Sequence, residues 1–238
     1  MPTPGLLYVG ASIKGHALDE ATFDKWYNEV HIPDVLSLPN GPPAAFRYKN
    51  ANPSAPFPFL ALYVLPDVDF VTSEELANAE WRLDGLPADR THLEEACDFD
   101  RRQYEKIQTF EGQIPREGRA AKCIIAVAME PADGAEAEKD FDAWYRLQHL
   151  DMLSTISGYR RSTRYKLMAS PTADAAGTLD EMPRYLALHE YESTDVPPEQ
   201  IKLAVGTEWS KKVIGGAKAF VRDIWVLVHE GGDGTTKL

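Results

Sequence analysis

The segment FDKWYNEVH at Phe23 returns as FDAWYRLQH at Phe141, so Phe23, Asp24, Trp26, Tyr27 and His31 recur 118 positions on as Phe141, Asp142, Trp144, Tyr145 and His149. Matches at one offset that include tryptophan and histidine mark an internal duplication. The echo continues: Val35-Leu36-Ser37 answers Met152-Leu153-Ser154, and Arg47-Tyr48 answers Arg164-Tyr165, with one residue lost after His149. Further on, FLALYVL from Phe59 answers YLALHEY from Tyr185, and Glu80-Trp81 answers Glu208-Trp209, the second copy carrying the longer loop ASPTADAAGTLDEMP. A repeat of nearly half the chain is too long for a solenoid, whose units run about 20 to 50 residues. The chain is therefore expected to fold as two related domains, 1–112 and 119–232, joined by the Gly- and Pro-containing linker EGQIPREGRAA, with 233–238 as a mobile tail.

Within the first copy, LLYVGA from Leu6 reads as a buried strand. Asp19 is a suitable N-cap for a helix that places Phe23, Trp26, Tyr27 and Val30 on one buried face. Pro33 lacks the backbone donor and disfavours helical geometry at Ile32, so that helix is expected to end or kink just after His31. FRYKN and FLALYVL give two more strands, TSEELANAEW a second helix with Thr72 and Glu75 as a capping box, and RRQYEKIQTFE a last strand. The second copy repeats this order with KCIIAVAM, the Phe141–His149 helix, RSTRYKLM, YLALHEY, a helix around Pro198 to Trp209, and FVRDIWVLVHE. The order βαββαβ is that of a ferredoxin-like unit, α+β, with helices on one face of an antiparallel sheet. Two such sheets in one chain can cover each other, which gives an intramolecular pseudo-twofold α+β barrel.

Composition excludes some partners. A formal net charge of −12 without a basic patch is the wrong sign for nucleic acid. No apolar run reaches the roughly 18 to 20 residues that span a bilayer, and the N-terminal segment lacks the pattern of a secretory leader, so a cytoplasmic protein is expected. Cys97 and Cys123 suggest neither zinc nor a disulfide, and Cys123 in KCIIAVAM reads as a buried small hydrophobe. No ligand spacing for a metal and no Gly-rich phosphate loop is present, so no cofactor is expected.

The βαββαβ order, a first helix carrying F-x-x-W-Y-x-x-x-H and Arg-Tyr on the next strand together resemble the EthD-like branch of the dimeric α/β-barrel superfamily, here duplicated in tandem. The resemblance spans nearly the whole chain. Members of that superfamily include aromatic polyketide cyclases, carboxylic acid decarboxylases, muconolactone isomerases, cofactor-independent monooxygenases and some haem enzymes. It implies a pocket in each unit between helices and sheet, and a fused pair that acts as a monomer or homodimer.

His31 and His149 are the leading proton-transfer candidates, because imidazole alone titrates near neutrality and each lies at the edge of an apolar helix face. Asp34 and Asp151 follow closely enough to orient them, although the deletion makes the two spacings differ. Tyr27, Tyr145, Tyr48 and Tyr165 are candidates to hydrogen-bond a phenol or carbonyl, and Arg47 and Arg164 to hold a carboxylate. Capping, core packing and ion pairing are the competing roles. The copies diverge where Tyr63 becomes His189 and Val30 becomes Gln148, so a cluster of Gln148, His149 and His189 would favour the second copy as the acid/base site. The expected activity is a cofactor-free lyase, isomerase or cyclase acting on an aromatic or polyketide-like small molecule. The alternatives are a non-catalytic binding or stress-related barrel, and a haem or cofactor-independent oxygenase.

Overall fold

A computed structural model of the chain describes residues 1–15, 18–87, 93–112, 120–169 and 182–238. The first half runs β1 (Gly5–Ile13), α1 (Glu20–Trp26), a π-helical turn (Tyr27–His31), α2 (Ile32–Leu36), β2 (Ala44–Asn50), β3 (Phe59–Leu65), a 3-10 turn (Val68–Thr72), α3 (Glu74–Ala77) and β4 (Cys97–Phe110). The second half runs β5 (Cys123–Glu130), α4 (Ala135–Trp144), a π-helical turn (Tyr145–His149), α5 (Leu150–Ser154), β6 (Tyr159–Ala169), β7 (Tyr185–Tyr191), α6 (Pro198–Val205), α7 (Glu208–Gly215) and β8 (Ala219–Gly232).

All eight strands close into one antiparallel barrel in the order β1-β3-β2-β8-β5-β7-β6-β4. Each half contributes the split order β4-β1-β3-β2 or β8-β5-β7-β6, and the halves meet where β2 pairs with β8 and β4 with β6. Each strand thereby satisfies the edge of the next, which leaves no unpaired sheet edge. The expected α+β architecture is the observed one. Alternation along the strands sorts the side chains into three cores. Leu6, Phe46, Leu62, Ile124, Leu188 and Trp225 point into the barrel and form its core. Phe23, Trp26, Tyr27 and Phe59 anchor the first half's helices on its outer face, and Phe141, Trp144, Tyr145 and Tyr185 do the same in the second half. Each large apolar side chain so buried contributes about 1.5–3 kcal/mol.

Several local expectations need correction. Asp19 caps α1 as expected, its Oδ1 accepting from the Thr22 amide at 2.9 Å. The helix does not end after His31, however. A π-turn, in which the Ile32 amide bonds the Tyr27 carbonyl five residues back, carries the chain into α2. Pro33 is not the cause, since the second copy makes the same turn, Leu150 to Tyr145, with no proline there. The extra residue rotates the buried face, so Ile32 is fully buried and Val30 only partly so. In the first half the second helix is a single turn, and its cap is Ser73, bonding Leu76, rather than Thr72. Around Pro198 the second half builds two helices, not one. Residues 233–238 do not hang free: Leu238 lies in the barrel core and its carbonyl accepts from Thr163 at 3.0 Å. Much of the expected linker, 113–119, and the long loop, 170–181, fall outside the described residues.

Candidate functional site

The duplicated helix motif builds the same constellation twice. In each copy the motif histidine stacks on the tryptophan five residues earlier, His31 on Trp26 with centroids 5.0 Å apart and His149 on Trp144 at 4.1 Å. The π-turn makes this possible, because its wider spiral brings positions i and i+5 into line. In each copy the tyrosine packs edge-on against the histidine and carries an arginine over its ring, Arg47 on Tyr27 at 4.5 Å and Arg164 on Tyr145 at 4.2 Å.

Both arginines are fully buried and ion-paired. Arg47 pairs with Asp24 at 2.7 Å and bonds Asn28, while Arg164 pairs with Asp142 at 2.9 Å and bonds Gln108. Asp24 and Asp142 belong to the echo, so the duplicated Asp and Arg form one duplicated ion pair. The paired carboxylate offsets the guanidinium charge, and Nη2 of each arginine is left buried without a hydrogen-bond partner. Tyr48 and Tyr165 stand on the other face of the sheet, in the barrel core, with Tyr48 donating to the Ala121 carbonyl at 3.2 Å. They are therefore not part of any site containing the motif histidines. Asp34 is bound by Arg82, whose Nε donates to it at 2.7 Å, and Asp151 is exposed. Gln148 accepts from the Thr207 hydroxyl at 2.8 Å. None of these three hydrogen-bonds a motif histidine.

The surroundings of the two histidines differ. His31 is closed in by Trp81, whose ring meets it edge-on at 5.1 Å. The corresponding Trp209 instead donates its indole N–H to Asp140 at 3.1 Å. In the second half a cavity of about 60 Å³ lies between β5, β7 and the helices, lined by Tyr145, His149, His189, Ile201, Ile214 and Arg222 among others. His149 and His189 face each other there at 6.3 Å, nearly perpendicular. Ser162 lies within 2.7 Å of His189 Nδ1, and the Tyr159 hydroxyl donates to Ser162 at 2.9 Å. The Ser162 hydroxyl and Nδ1 share one proton in this bond, which holds the orientation of the His189 ring. Sequence reasoning missed Ser162, although a signal existed. The cross-strand neighbours Ala45 and Tyr63 of the first half become Ser162 and His189 in the second, so the two changes are one.

Burial sets the protonation of all three imidazoles. It lowers His31 to about 4, against a smaller upward pull from Asp34. It lowers His149 to about 3, opposed by a hydrogen bond to the Ala204 carbonyl, and His189 to about 3, helped by His149 and Arg164. All three are neutral at pH 7. Nδ1 of His31 and of His149 is buried without a hydrogen-bond partner. Among the described residues no group of three His, Cys, Asp or Glu could hold a metal ion, and no helix is long and apolar enough to cross a membrane.

No family model matches the sequence. The chain is 29% identical over 203 residues to core atranone cluster protein 1 of Stachybotrys chlorohalonatus, covering 79% of this chain and 82% of that protein. Among solved structures it is similar to a candidate monooxygenase from Fusobacterium nucleatum, with a TM-score of 0.60, 9% identity and coverage of 99% of this chain and 97% of the other. It is likewise similar to an anthrone oxidase-like protein, with a TM-score of 0.59, 14% identity and coverage of 98% and 94%. At such identities the likeness is one of fold. The chain has the dimeric α/β-barrel fold, with both halves of the barrel supplied by a single polypeptide.

Proposed function

We propose that the chain is an enzyme of small-molecule metabolism that begins its reaction by moving a proton in the cavity of the second half. The observation that carries this reading is the pair His149 and His189 facing each other across an otherwise largely apolar cavity, with His189 oriented by Ser162. The first half has the same motif, but Trp81 stands against its histidine. The Stachybotrys relative, named for a metabolite cluster, and the anthrone oxidase-like fold neighbour support an aromatic or polyketide-like substrate. The tandem motif supports membership of the EthD-like branch, and a barrel closed within one chain supports activity as a monomer.

A neutral imidazole in an apolar cavity is a weak base on its own, because an isolated imidazolium there is poorly solvated. It becomes competent when the proton it takes leaves an enolate or phenolate beside it, since the anion stabilises the new cation. That anion can cyclise, lose carbon dioxide or isomerise, or it can react with molecular oxygen. The names of the fold neighbours favour the oxygen route, which shares the same first step. A cavity of about 60 Å³ is smaller than the roughly 150 Å³ that holds benzene. The substrate must therefore present only its reacting edge, or α6 and α7 must move outward. Haem does not fit this space.

Anthrone serves as the first probe, with product formation followed under air and under nitrogen and oxygen uptake recorded in parallel. Turnover confined to air with oxygen consumption selects the oxygenase route, and anaerobic turnover selects a non-oxidative one. On whichever substrate is turned over, His149→Gln and His189→Tyr should each lower kcat about 100-fold or more with the fold intact. Full activity in both variants and in the double variant overturns the proposal.

A further inference from the structure

We propose that one end of the barrel interior is a second binding site, built for an uncharged, hydroxylated aromatic molecule. It lies across the sheet from the histidine cavity: β5 turns Ile125 and Val127 toward the histidines and Ala126 and Ala128 toward the barrel. The barrel cavity measures about 220 Å³, against about 60 Å³ on the histidine side, and the two share no lining residue. A volume of about 150 Å³ holds a benzene ring, so this space takes a molecule of one or two rings without rearrangement.

Its walls are aromatic and polar in a particular balance. Tyr8 and Tyr104 meet edge to face at 6.3 Å, and Phe57 and Trp225 complete the rings around the space. Arg102 is held by Asp100 through two bonds of 2.9 and 2.6 Å, so its charge is offset locally. Asp223 also lines the cavity. Asn50 donates to its Oδ1 at 3.1 Å, and among the described residues its Oδ2 receives no donor. The indole N–H of Trp225, a residue 2% exposed, is buried without a partner. The small side chains Ala126 and Ala128 maintain the space where larger residues would fill it.

Two carboxylates against one guanidinium leave the wall with a net negative charge, which repels an anion. A hydroxyl group suits the open acceptor, because its O–H can donate to Asp223 while its ring packs against Tyr8, Phe57 and Trp225. The ligand class follows from these walls alone, whatever reaction the histidine cavity performs.

The probes are 2-naphthol and 2-naphthoate, one neutral and one anionic on the same frame, titrated calorimetrically into the full chain at pH 7. Near one equivalent of naphthol should bind, at least tenfold more tightly than naphthoate. Ala128→Phe, which fills the space, should weaken naphthol tenfold or more. Asp223→Asn turns the open acceptor into a donor, so it should weaken naphthol about three- to tenfold while improving naphthoate. Trp225→Phe should weaken naphthol by a similar factor, and His189→Tyr should leave it unchanged. The Asn and Phe variants at positions 223 and 225 keep the test decisive if Ala128→Phe does not fold. The proposal is overturned by absent naphthol binding, by equal binding of the two probes, by binding indifferent to Asp223→Asn and Trp225→Phe, or by binding lost in His189→Tyr.

Discussion

Acid should unfold this protein through its histidines before its carboxylates titrate. In the folded chain His31, His149 and His189 take a proton only near pH 4, 3 and 3, whereas unfolded histidine takes one near 6.5. A depressed folded pKa means that the unfolded state binds more protons between those limits, so each imidazole's contribution is complete above about pH 6.5 and is lost as pH falls. Each group costs about 1.4 kcal/mol per pH unit in that window, so three give a slope of about 4 kcal/mol per unit. Between pH 6.5 and 5 the loss is about 5 kcal/mol, since the slope is only half developed at pH 6.5, and this is comparable with the total stability of about 5–15 kcal/mol expected of a folded domain. Glu190, which burial raises, acts in the opposite direction and offsets part of it. The comparison that cancels this offset is Ser162→Ala with His189→Tyr, which rebuilds the Ala45 and Tyr63 pair of the first half. Urea unfolding followed by tryptophan fluorescence at pH 6.0, 5.5 and 5.0 should show the variant's slope lower by about 1.4 kcal/mol per pH unit. An unchanged slope would mean that His189 is not held neutral by burial, and the proton-transfer role proposed for the histidine cavity would fail with it.

Arg164→Met removes a guanidinium that is 2% exposed and pairs with Asp142, which is 44% exposed and can be solvated once alone. The loss should fall at or below the low end for a broken buried pair, about 2–3 kcal/mol, seen in thermal melts as a drop in Tm of roughly 5–10 °C. A drop below about 2 °C would show that the pair contributes little. Gly232 has φ +89°, and a Cβ there would collide with the Pro43 carbonyl oxygen. Gly232→Ala should therefore destabilise by more than about 1 kcal/mol by denaturant titration, and a neutral result would refute the close approach. Leu238→Asp should cost about 1.5–3 kcal/mol, since the chain end can peel away and only the burial of one leucine is lost. Unaltered stability would mean the end does not seal the core in solution.

Much of this site was legible in the repeat. Residues kept in both copies proved to form one shared assembly, in which Asp24 or Asp142 holds an arginine over a tyrosine and a tryptophan backs a histidine. The opposite fates of Arg47 and Tyr48 were also implied, because adjacent strand residues face opposite sides, so both could not line one pocket. The π-turn was not legible, since the choice between four and five residues per hydrogen bond depends on how the tryptophan and histidine rings pack against the sheet. Which aspartate meets which arginine across 22 or 23 residues was equally a matter of packing.

The sequence alone determined that the chain holds two related βαββαβ units, because duplication preserves the order of residues and hydrophobic period selects the elements. Tertiary structure alone decided that Trp81 closes over His31 while Trp209 is drawn to Asp140, and that a cavity lies beside His149 and His189. It also decided that β2 meets β8 and β4 meets β6, with a space left inside the barrel by Ala126 and Ala128. The physical reason is that cavities are differences between volumes contributed by distant segments, and no local pattern along a chain records such a difference.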